Sequence, residues 1–134
     1  MKIQKPSSNI VRLNLVALRM LLSGGVRDRH KCVIKFYSDS CPMCHKLAPV
    51  YMRIAENRQD EDLHFFAFNI QDIALDPNIE DIKELIEING TPSFAKFFTG
   101  AKDVKVSILS DPKNPDPDTW YNFEQVNNFI DKEK

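Results

Sequence analysis

Hydrophobic residues recur along this chain at two spacings, and the switches between them mark out the elements. Residues 10–13 read as a short strand. Leu15, Leu18, Leu21 and Leu22 then recur at helical spacing and stop at Gly24-Gly25. "CVIKFY" (32–37) and "LHFFAFNI" (63–70) are nearly continuous apolar runs, the pattern of parallel strands covered on both faces. Lys35 is the misfit inside the first run. Between the two runs, Leu47, Val50, Tyr51 and Ile54 form one helical stripe. Asp76-Pro77 predicts a helix cap with proline at the first helical position. Ile79, Ile82, Leu85 and Ile86 supply that helix's buried face, and Gly90 lies just past its end. "SFAKFF" (93–98) and "DVKVSIL" (103–109) flank Gly100 as a hairpin, with Val104, Val106 and Ile108 alternating with polar residues. A proline-rich loop (110–118) leads to a last helix carrying Phe123, Val126, Phe129 and Ile130 on one side. The order βαβαβαββα predicts an α/β fold: a mixed sheet flanked by helices on both faces. A single domain over residues 1–134 is expected, with 1–8 and 131–134 as loosely ordered ends.

Composition narrows the function classes. The chain has 134 residues, 43% hydrophobic and 28% charged, which fits a domain able to bury a core. A net charge of −1 gives no electrostatic grip on nucleic acid. The N-terminal apolar stretch is interrupted by Arg12, Asn14 and Arg19, so neither a signal peptide nor a membrane span is expected. A reducing, cytoplasmic setting follows as the expectation. There, two cysteines close together point to redox chemistry or metal rather than a disulfide framework.

The close pair lies in "FYSDSCPMCHKLAP" (36–49). The C-x-x-C spacing alone serves metal, haem, bracing or electron transfer. Its setting carries more: Cys41 follows a buried strand and begins a helix. With Cys41 as N-cap, Pro42 takes the first helical position at no loss. The sulfur then sits in the positive field of the helix start, which favours thiolate, the nucleophilic form. Cys44, one turn on, is placed to attack a mixed disulfide at Cys41.

With Pro49 five residues after the second cysteine, and "GTPSF" (90–94) downstream, the chain resembles the thioredoxin family over about residues 10–130. The resemblance implies the thioredoxin fold and thiol–disulfide exchange with protein disulfides. It makes Cys41 the nucleophile and Cys44 the resolving cysteine. Pro92 becomes a cis proline, and Thr91 before it offers backbone groups to an extended substrate segment. Ser40, Pro42 and Met43 complete the substrate-facing surface. Electrons reside in the dithiol, so no cofactor and no metal is expected. The implied partners are protein disulfides and a reductase that recharges the pair, with no nucleic acid, no membrane and a monomeric chain.

The chain departs from the family pattern at several positions. Ser40 stands where thioredoxins carry tryptophan. Proline directly after the first cysteine resembles glutaredoxins and DsbA-type oxidants and implies a dithiol less reducing than that of ordinary thioredoxin. Six residues before the first cysteine, the family's buried acid is replaced by Lys35, and the lysine that normally neighbours that acid aligns with Ala67. Charged, Lys35 would lower the cysteine pKa values. Neutral, it would serve as base for Cys44, and a stem snorkelling to the rim is the structural alternative. A glutathione-dependent glutaredoxin and a non-catalytic adaptor are the rival functions. "CPMCH" also matches the haem-attachment spelling, which requires an exported chain. Zinc would need further ligands, and Cys32, His30, His45 and His64 show no paired spacing. Cys32 reads as a small buried hydrophobe and His45 as a solvent-facing helix residue.

Overall fold

The computed structural model describes residues 10–75, 90–110 and 112–132. Its elements are β1 (Ile10–Arg12), α1 (Leu15–Leu22), β2 (Lys31–Tyr37), α2 (Pro42–Asn57), β3 (Leu63–Asn69), a 3-10 turn (Ile70–Leu75), β4 (Ser93–Phe98), β5 (Ser107–Leu109) and α3 (Phe123–Asp131). The helix expected after Asp76-Pro77, with Ile79, Ile82, Leu85 and Ile86, lies outside the described residues, as does the greater part of the expected loose ends.

The strands form one sheet in the order β1-β3-β2-β4-β5. β1 and β2 run parallel to β3, while β4 is antiparallel to both β2 and β5. The sheet is therefore mixed, as the element order implies. β2 sits at its centre, with a partner on each side and five consecutive buried residues. That position explains the unbroken apolar run: neither face of β2 meets water.

Alternation along the strands splits the core in two. Cys32, Ile34, Phe36, Phe66 and Phe68 face α1, where Leu18, Leu21 and Leu22 meet them. Val33, Phe65 and Phe94 face the other layer, where Leu47, Tyr51 and Ile54 of α2 and Val126 and Ile130 of α3 close the core. Asn14 caps α1 by accepting the Ala17 N–H at 2.8 Å. The chain leaves α1 through Gly24 at φ 82°, where a Cβ would stand 3.0 Å from the Ala101 carbonyl oxygen. At the other end of the domain, Arg58 joins α2 to α3 through Asp131 at 2.6 Å and Asn127 at 3.2 Å.

The hairpin differs from expectation. Only Ser107–Leu109 pairs with β4, not the whole of 103–109. The reason lies in the turn after β4. The Thr99 N–H donates to the His30 carbonyl, its hydroxyl to the Asp28 carbonyl, and the Gly100 N–H to the Val26 carbonyl. The chain is thereby tied to the loop preceding β2 instead of folding straight back. Val104 satisfies its hydrophobicity by dropping into the α1-side core, where it is buried. Its alternating pattern records packing, not ladder pairing.

Tyr51 locks α2 to the sheet. Its hydroxyl lies 2.7 Å from the Phe66 carbonyl oxygen and 3.2 Å from that of Val33, bridging β3 and β2 from below the helix. Burial pushes the phenol well above its ordinary pKa, so it remains a donor. Tyr51→Phe keeps the packing and deletes the donor. It is expected to lower stability by about 1 kcal/mol, read from the urea midpoint at an unchanged m-value.

Candidate functional site

The central strand β2 ends at Tyr37, and a short loop delivers Cys41 to the start of α2. Two contacts shape that loop. The Cys41 N–H donates to the Ser38 carbonyl at 3.2 Å, and the Asp39 N–H donates to the Gln71 side-chain oxygen at 3.1 Å. His45 reaches back to the Asp39 carbonyl at 3.0 Å, so its Nε2 carries a proton. Its ring is exposed, as expected, but it serves the loop. Gln71 was not foreseeable, because it comes from the turn after β3 and no local pattern announces the contact.

Cys41 is the N-cap of α2, in extended conformation, with Pro42 at the first helical position. Its sulfur accepts the Cys44 N–H at 3.1 Å. A sulfur thus takes the place that a serine or aspartate oxygen usually fills, among the otherwise unpaired N–H groups of a helix start. The two sulfurs are joined as a disulfide, with the Cα atoms 5.3 Å apart. Their exposure differs sharply: Cys41 is half-buried, while Cys44 is 2% exposed. Helix α2 continues through Pro49 to Asn57.

Lys35 lies beneath this turn. It is 6% exposed, and its amine donates to the Cys44 carbonyl at 3.1 Å. The tyrosine rings of Tyr37 and Tyr51 stand 5.9 Å and 6.0 Å from the amine. Burial pushes the lysine down to about 8. Lys35 does not snorkel to the rim; it faces the dithiol helix from below. On β3 its register partner is Ala67, so the two residues are neighbours across the strand pair. The small Ala67 side chain helps leave a cavity of about 310 Å³, also lined by Lys35, Tyr37, Cys44, His45 and Tyr51.

Thr91-Pro92 is a cis peptide bond. The pairing of Phe36 with Ser93 sets it at the end of the sheet where β2 leads into the cysteine loop. Thr91 is half-buried and Pro92 buried, while Ser40 and Pro42 are exposed and Met43 half-buried. Ser93 anchors the turn by donating to the Gly90 carbonyl at 2.5 Å. Cys32 stands apart. It is fully buried, and burial, with the Asp62 charge, pushes its thiol up to about 12, so it stays a neutral thiol.

The thioredoxin family model matches residues 23–114. A thioredoxin-like protein of Fusarium culmorum is 31% identical over 88 residues, covering 65% of this chain and 67% of that one. The ER-retained PMA1-suppressing protein 1 of Saccharomyces cerevisiae is 33% identical over 100 residues, covering 64% of this chain and 14% of that much longer one. Among solved structures, spinach chloroplast thioredoxin f superposes with a TM-score of 0.61 at 17% identity, over 90% of this chain and 83% of that one. The J-Trx1 fragment of ERdj5 superposes with a TM-score of 0.60 at 24% identity, and this chain spans about half of it (48%) while 90% of this chain is covered. At these identities the superpositions speak for the fold, and the family match extends over most of the chain. With its sheet order, its capping cysteine and its cis proline in place, the chain belongs to the thioredoxin family.

Proposed function

We propose that this protein is a thiol–disulfide oxidoreductase acting on protein disulfides through Cys41 and Cys44. The observation that carries the reading is the asymmetry of the pair at the helix start: one sulfur reachable and held among N–H donors, the other buried behind it. In the reduced protein, the Cys41 thiolate attacks a substrate disulfide and forms a mixed disulfide. The first substrate thiolate leaves and takes up a proton. The Cys44 thiolate then attacks the Cys41 sulfur, the second substrate thiolate is released and protonated, and the Cys41–Cys44 disulfide remains. Two electrons pass from the protein to the substrate.

Substrate would lie along the Thr91-Pro92 turn as an added strand, with Ser40, Pro42 and Met43 bordering it. Net reduction in a reducing, cytoplasmic compartment, with a separate reductase recharging the dithiol, is part of the proposal. The name of the yeast relative, ER-retained, supports a second reading in which the same pair runs toward disulfide formation in an oxidising lumen. In an insulin-reduction assay driven by dithiothreitol, the parent is expected to accelerate precipitation. Cys41→Ser is expected to return the rate to that of dithiothreitol alone. Equal activity of parent and Cys41→Ser would dismiss the catalytic reading. A marked preference for glutathione would move the assignment to the glutaredoxin type.

We further assign Lys35 as a positioning residue that acts through its charge. At pH 7, below its pKa of about 8, the amine is mostly protonated. An ammonium at the first turn of α2 adds to the field of the helix end and favours thiolate at the dithiol. Lys35→Met is therefore expected to raise the pKa at which Cys41 is alkylated by iodoacetamide and to slow turnover at pH 7. An unchanged alkylation profile would remove the assignment.

The same burial has a stability consequence of defined sign. The unfolded lysine titrates near 10.5 and the folded one near 8, so the unfolded state binds more protons between those values. Lys35 thus lowers stability in full below pH 8, and the penalty fades as pH rises toward 10.5. Lys35→Met is expected to be more stable than the parent at pH 7, by roughly 3 kcal/mol on the linkage of pKa to free energy. The gap should narrow through that window in urea titrations.

A further inference from the structure

At the end of the sheet opposite the dithiol, the parallel pairing of β2 and β3 creates a second group of chemically active side chains. Cys32 is the register partner of His64, so the loops entering the two strands lie side by side. His30 comes from one loop and Asp62 from the other. Asp62 Oδ1 stands 3.3 Å from His30 Nδ1 and 3.3 Å from His64 Nε2. The two rings pack edge to face with centroids 4.8 Å apart. None of the three ligand atoms is more than 4.8 Å from another.

We propose that His30, Asp62 and His64 hold a divalent transition-metal ion of the zinc class, with a fourth position open to water. Geometry, donor chemistry and access carry the proposal. Given the two separations of 3.3 Å and a third of at most 4.8 Å, a point about 2.4 Å or less from all three atoms exists. Zinc binds imidazole nitrogen and carboxylate oxygen at about 2.0–2.2 Å, so small side-chain rotations complete the site.

Two imidazoles and a carboxylate suit zinc, whereas magnesium and calcium prefer all-oxygen sets. His64 is only 7% exposed, which fixes one ligand rigidly, while Asp62 at 70% exposure keeps the entrance open. Among the described residues His30 Nε2 is buried without a hydrogen-bond partner, and the ring's hydrogen bond is the one to Asp62. The fourth ligand is not Cys32, whose sulfur points to the His30 carbonyl at 3.9 Å inside the core. A bound ion would join the entry loops of β2 and β3, at the end of the sheet opposite the dithiol.

The test uses the protein with its Cys41–Cys44 disulfide closed, so that those thiols take no metal. Calorimetric titration with zinc chloride in a non-chelating buffer is expected to show one ion per chain. Asp62→Ala, at an exposed position that keeps the fold, and His30→Ala are each expected to weaken binding by more than about tenfold, a loss that even outer-shell partners of a metal reach. Zinc should also raise the melting temperature of the parent and leave that of Asp62→Ala unmoved. The proposal is overturned by the absence of binding up to about 1 mM zinc, a weaker limit than structural zinc sites show. Binding that persists unchanged in both variants overturns it equally.

Discussion

One hydrogen bond organises the functional end of this molecule: the Cys44 N–H given to the Cys41 sulfur where α2 begins. A helix start leaves N–H groups without partners, and here a side chain that can become an anion fills one of those places. The bond fixes the backbone at the turn, sets the direction of the Cys41 sulfur and surrounds it with positive partial charge. The rest of the architecture supplies the conditions for it. The central strand β2 is held on both sides, so the loop leaving it has a fixed origin. Tyr51 and the buried stripe of α2 stop the helix from shifting against the sheet. Without that anchorage the capping sulfur would have no constant field.

Charge beneath the site is unusual in sign and in depth. A cation sits in the layer between sheet and helix, donating to a helix carbonyl and facing two tyrosine rings, with an alanine beside it on the next strand. Its burial lowers stability and at the same time brings positive charge close to the dithiol. A second buried lysine shows the structural use of the same residue. Lys96 turns its amine to the carbonyls of Phe129 and Lys132, at the end of α3, where a helix has acceptors to spare. One lysine closes a helix C-terminus; the other lies under a helix N-terminus, where a cation is electrostatically out of place unless thiolates are to form there.

Much of this was legible in the sequence, because the relevant signals are local. Helical spacing from Leu15 to Leu22 ended at a glycine that the structure holds at positive φ, and "SFAKFF" matched β4 residue for residue. Proline after the first cysteine marked the cap of α2, and the single charge within "CVIKFY" marked the site's buried cation. The signals that failed were non-local. Residues 103–106 alternate like a strand, yet their burial is satisfied by the α1-side core after Thr99 and Gly100 redirect the chain. His30 and His64 look unrelated along the chain, since their meeting depends on the parallel register of β2 and β3. In hindsight, H-x-C at the start of one strand and D-x-H at the start of its neighbour were the available clue.

The central claim is that Cys41 captures substrate sulfur and Cys44 releases it. It is tested most directly by incubating reduced Cys44→Ser protein with a disulfide-containing peptide and locating the adduct by mass spectrometry after digestion. The account predicts a stable mixed disulfide on Cys41, formed faster than by a free thiol at pH 7 and resolved rapidly when Cys44 is present. An adduct on Cys32, or none while Cys41 is reduced and the fold intact, would contradict it.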